Sequence, residues 1–117
     1  MNTRKLSLLI LIVLVVNLSA RANNTKTLSF RTDVTLNGSI LPSGFYEISW
    51  VSHSPDATVT FVNAGHVMVT AMGKWVDRGA KYKADSLVYT NNPDGSHTLI
   101  EIRFAGQKQA LVFAGLN

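Results

Sequence analysis

"LNGSILPSGFYEISW", residues 36–50, bends twice and then alternates. Asn37 and Gly38 both tolerate the left-handed backbone that a tight reversal requires. Pro42 suits position i+1 of a type I turn, and Gly44 suits i+3. From Phe45 onward the residue types alternate, with Tyr46, Ile48 and Trp50 opposite Phe45, Glu47 and Ser49. That period of two is the mark of a strand with one buried face. Ser39-Ile40-Leu41, between the two turns, is too apolar for a purely exposed loop, so Ile40 or Leu41 is expected to plug one end of a core.

The spacing Ile40-x-Pro42-x-x-x-Tyr46 is similar to the tyrosine corner of Greek-key sandwiches. There a tyrosine near the start of a strand returns its hydroxyl to the backbone a few residues upstream. A buried hydroxyl needs such a partner. An ordinary loop followed by an ordinary strand tyrosine fits the spacing equally well.

The same alternation recurs on both sides. Residues 27–36 (TLSFRTDVTL) place Leu28, Phe30, Val34 and Leu36 on one face of a single expected strand. Residues 57–62 and 66–72 flank Asn63-Ala64-Gly65, a hairpin-sized connection. Residues 86–90 (SLVYT) lead to Asn92-Pro93-Asp94-Gly95, the strongest turn signal in the chain. Beyond it, residues 97–104 are expected to point Ile100, Ile102 and Phe104 away from Leu99, Glu101 and Arg103. Ala105-Gly106-Gln107-Lys108 then turns the chain into a last strand, QALVF. No long stretch has helical periodicity. Seven or eight short strands at this spacing predict an all-β, antiparallel, Greek-key-like sandwich, with a small, partly open β-barrel as the alternative.

Residues 1–22 read differently. A basic head (Arg4, Lys5), an apolar run from Leu6 to Val16, and Ala20-x-Ala22 form the pattern of a cleaved secretory signal. The apolar run falls short of the roughly 20 residues that cross a bilayer, so no transmembrane segment is expected after cleavage. Residues 23–117 are then one exported all-β domain, periplasmic or extracellular. Without Arg4, Lys5 and Arg21, eight cations face seven carboxylates, a net charge of +1 instead of +4. No basic footprint for nucleic acid survives that removal. Cysteine is absent, so disulfides, thiolate metal sites and cysteine nucleophiles are excluded.

Two longer stretches carry a resemblance. "NGSILPSGFYEISW" resembles the N-G-x-x-L-P-A-G-x-Y-x-V pattern of short, exported, mostly uncharacterised bacterial β proteins. "DGSHTLIEIRFAGQKQALVF" resembles their closing D-G-S-R-T-L-x-E-I-R-F-x-G hairpin. Ser43 stands for the usual Ala, Phe45 for Thr and His97 for Arg, which leaves the turn chemistry intact. The motifs are turns and strand faces. The resemblance therefore implies a compartment and a fold and brings no functional residues.

Chemistry is sparse. His53, His66 and His97 include no close ligand pair of the kind zinc sites show. Glu47 and Glu101 are expected on wet strand faces, and no nucleophile elbow or phosphate loop is present. Neither a catalytic residue nor a cofactor is assigned. The candidate binding stretch is residues 74–82 (KWVDRGAKY), where Trp75 and Tyr82 flank Arg78 and Lys81. Aromatics beside polar groups stack on sugars or grip a partner chain. The preferred alternative packs Trp75 into the core and solvates the charges. Asn37, Gly38, Ile40, Pro42, Gly44 and Tyr46 are read as structural.

The functional expectation is an exported, non-enzymatic sandwich that acts through its surface, on a protein or glycan or as part of an envelope or matrix. A self-associating structural protein is the second reading. A small hydrolase or metal-binding protein built on the three histidines is the outsider.

Overall fold

The computed structural model of the chain describes residues 24–113. The expected export leader, residues 1–22, lies outside them. The regular elements among the described residues are all strands: β1 (Thr25–Phe30), β2 (Val34–Leu36), β3 (Ser39–Leu41), β4 (Gly44–His53), β5 (Asp56–Asn63), β6 (His66–Asp77), β7 (Ser86–Asn91), β8 (His97–Arg103) and β9 (Gln109–Phe113).

They form one mixed sheet in the order β1-β4-β5-β6-β9-β8-β2-β3, with β7 on the other edge of β8. The twelve-residue β6 joins its two halves. Its residues His66–Lys74 pair with β5, and its residues Gly73–Asp77 pair with β9. Strands β6 to β9 lie in the antiparallel order β6-β9-β8-β7, a Greek key. Among the described residues the sheet does not close on itself, because β1 pairs only with β4 and β7 only with β8. The architecture is sandwich-like and not a closed barrel.

Period-2 alternation supplies the core. Leu28 and Phe30 of β1, Tyr46 and Ile48 of β4, Val59 and Phe61 of β5, and Leu111 and Phe113 of β9 are all buried and belong to one cluster. Phe30 packs on Tyr46 with ring centroids 4.4 Å apart. At about 1.5–3 kcal/mol per fully buried large apolar side chain, this cluster is the main stabilising force of a chain without disulfides.

The first turn of the opening stretch folds as predicted, and at Ser43 the chain bends. Asn37 and Gly38 both have positive φ, at 53° and 76°, and close the β2–β3 hairpin. The Tyr46 hydroxyl donates to the Pro42 carbonyl at 2.7 Å, so the corner is present. Leu41 is the plug, fully buried, while Ile40 is 64% exposed.

Four expectations need correction. Residues 27–36 are two strands, because the chain leaves β4 at Arg31-Thr32-Asp33 to reach β8. There the Asp33 carboxylate accepts the Ser43 N–H at 2.8 Å. The sheet is not purely antiparallel, since β2 runs parallel to β8 at Thr35–Thr98. Alternation also fails in β8: Leu99, Glu101 and Ile102 are all buried. Val88 pairs with Glu101 but Tyr89 pairs with Leu99, so Ile100 is the extra residue of a bulge that shifts the phase. The bulge turns Leu99 to the core face, while Glu101, expected on a wet face, stays opposite the core but is buried there with Arg78 and Arg103 on its carboxylate.

Candidate functional site

Three strands deliver aromatic rings to one place. Trp50 lies on β4, Trp75 on β6, and Phe104 directly follows β8. Their centroids are 5.0 Å (Trp50–Phe104), 5.9 Å (Trp50–Trp75) and 6.3 Å (Trp75–Phe104) apart. Phe104 is buried, and the two indoles are half-buried against the core. Local bonds fix the frame. The Trp50 N–H donates to the Asn24 carbonyl at 3.0 Å, and the Trp75 N–H donates to the Pro55 carbonyl at 2.8 Å. The second bond ties the β4–β5 turn beside Trp75.

The three rings open into a groove of about 410 Å³. That is within the range of about 300–1,000 Å³ typical of small-molecule sites. Asn24, Ser52, Ser54, Gln107 and Gln109 rim it with neutral polar side chains. Among the described residues no carboxylate lines it. The one cationic side chain that the described residues place there, Lys26, has its amine 3.4 Å from the Asp85 carboxylate. Among the described residues no hydrogen bond occupies either indole N–H, and neither nitrogen is sealed from solvent.

The stretch 74–82 does not act as one surface. Strand pairing puts Trp75, Leu111 and Ile102 on the core face of the sheet and Val76, Ala110 and Arg103 on the opposite face. Arg78 and Tyr82 join that opposite face. The Arg78 Nη2 donates to Glu101 Oε1 at 2.8 Å, Arg103 Nε donates to Glu101 Oε2 at 2.7 Å, and the Arg103 guanidinium lies 5.1 Å from the Tyr82 ring centre. The Glu101 side chain is 7% exposed. Its hydrogen bond and negative charge raise the pKa of Arg103. Lys81 is exposed and stands apart from this cluster.

The cluster has a structural use. Residues 78–85 wrap the β8–β9 turn through Arg78 N–H to the Lys108 carbonyl, Tyr82 N–H to the Gln107 carbonyl, and Ala105 N–H to the Asp85 carboxylate. Glu101 clamps the start of that wrap, and the same contacts present Gln107 to the groove. Sequence reading missed Trp50 and Phe104 as partners of Trp75 because their meeting depends on strand order, and it missed the burial of Glu101 because residues 78–85 bring Arg78 to it from a distance. The bulge has no local signature in residues 97–104.

The histidines do not gather. His53 ends β4, His66 begins β6, and His97 packs edge-on to Tyr89, with centroids 4.8 Å apart. Among the described residues no group of three His, Asp or Glu side chains is placed to share an ion. A hollow of about 500 Å³ between β1 and β7, and another of about 550 Å³ beside the Asp94–Gly95 turn, lack a cluster of aromatic rings. No helix among the described residues is long and apolar enough to cross a membrane.

Comparison with family models, curated proteins and solved structures finds no match to this chain.

Proposed function

We propose that this chain is an exported, non-enzymatic binding protein whose partner, a glycan or a protein of the envelope or matrix, sits in the Trp50–Trp75–Phe104 groove. The observation that carries the reading is the aromatic cluster itself. Two large indoles stay half-open in a small domain that has ample core elsewhere, and their donors are free. Aromatic side chains in a concave, partly dry site are the usual anchors of recognition. The lining supports binding over hydrolysis, since glycoside cleavage uses two facing carboxylates and the described residues of the groove include none.

Pull-down and glycan-array screens with the exported protein test this. Capture of a partner that is lost in both Trp50→Ala and Trp75→Ala is the expected result. Capture that is indifferent to both substitutions would place the function on another surface.

Self-association is a second reading, favoured by the outer face of β4–β5–β6. Phe45, Val67 and Met72 are 72%, 64% and 50% exposed there. It does not rest on β8, whose two edges are both paired. Sedimentation at rising concentration separates the readings, because a persistent monomer contradicts this second one.

A further inference from the structure

The groove carries more chemistry than the word binding uses. Resting on the reading above, we infer that its ligand is a neutral oligosaccharide, stacked on Trp50 and Trp75 and held by the amide and hydroxyl side chains around them.

Charge is the first observation. Among the described residues Lys26 is the only ionisable group in the lining, and Asp85 already offsets it. A sulfated or uronic-acid chain would meet no free cation, and a basic peptide would meet no free carboxylate.

Hydrogen-bonding type is the second. A guanidinium only donates and a carboxylate only accepts, whereas serine hydroxyls and the side-chain amides of Asn and Gln do both. Ser52, Ser54, Asn24, Gln107 and Gln109 are of this two-way kind, and among the described residues no other group occupies their side chains. Sugar hydroxyls are likewise two-way. They can both accept from the free indole donors and donate to the amide carbonyls.

The apolar part of the lining is the third. Among the described residues it consists of three aromatic rings and Ala105, with no Leu, Ile, Val or Met. A hydrophobic peptide or lipid chain calls for aliphatic walls. The C–H faces of a pyranose ring call for flat aromatic ones. A proline-rich peptide also docks on aromatic grooves, without needing a ring of two-way donors and acceptors.

Indole fluorescence of the exported protein, titrated with neutral glucan, mannan and N-acetylglucosamine oligomers, tests the assignment. Sulfated and uronic-acid oligomers and a proline-rich peptide serve as the other arms. The expected result is saturable binding to a neutral series that survives high salt. Trp50→Ala should weaken it at least about tenfold, which is about 1.4 kcal/mol. Because Trp75 also packs against the core, Gln109→Ala and Ser52→Ala, at exposed rim positions, provide variants that leave packing untouched and should each weaken binding. Preference for anionic chains with loss of binding in salt would overturn the inference, as would binding of the peptide alone. In the peptide case the groove remains the binding site and only the ligand class fails. If a neutral glycan binds but Trp50→Ala, Gln109→Ala and Ser52→Ala all leave affinity unchanged, the groove itself is excluded.

Discussion

Tyr46 shows how one side chain fixes the corner on which the rest of the sheet is hung. Its ring fills the core beside Phe30, and its hydroxyl is satisfied by Pro42, four residues upstream. Burial, and secondarily the Asp33 charge, raise the pKa of this phenol. A raised folded-state pKa means that the neutral phenol contributes stability fully below the ordinary value of about 10. That contribution is lost as pH rises through the folded value. Tyr46→Phe should cost about 0.5–1.5 kcal/mol at neutral pH. It should also lack the alkaline loss that the parent shows in urea midpoints measured between pH 8 and 11. A variant as stable as the parent would show that the corner bond contributes nothing. Glu101 is the second decisive residue. Glu101→Gln keeps the shape but removes the charge that two arginines share, and should cost about 1.5–3 kcal/mol. Faster amide exchange at residues 78–82, which Glu101 clamps, should accompany the loss. The tyrosine was legible in the sequence because its partner lies four positions away. The burial of Glu101 was not, because Arg78 is brought to it by the path of residues 78–85.

At the scale of elements, turns explain most of the order. Asn37-Gly38 closes β2–β3 with the residue pair that positive φ favours. Ala64-Gly65 closes β5–β6 with the same geometry, yet Ala64 is a poor residue for its φ of 50°. The left-handed region costs an alanine about 1–2 kcal/mol, so Ala64→Asn should stabilise the domain by about 1 kcal/mol. Chemical denaturation reads this directly, and a destabilised variant would mean that Ala64 makes contacts the turn geometry does not reveal. Hairpins of this kind were readable because turn residues and alternation are local signals. The break between β1 and β2, the parallel β2–β8 pair and the displaced phase of β8 were not. Each depends on which distant strand is the neighbour, and β1 and β4 are neighbours although β2 and β3 separate them in sequence.

At the scale of the whole molecule, the long β6 bridges the two halves of the sheet and carries Trp75 to Trp50 and Phe104. Of this site only Trp75 could be selected from sequence, and there it was grouped with Tyr82, which the fold sends to the opposite face. The chain contains two tryptophans, so an amide-correlation NMR spectrum holds two indole N–H signals, and both belong to the groove. Titrating the protein with the ligand recovered from the binding screens is the most direct measurement. The account predicts that both indole signals move together and saturate, along with the side-chain amides of Gln107 and Gln109. Two stationary indole signals, beside shifts confined to the Phe45–Val67–Met72 face, would contradict it.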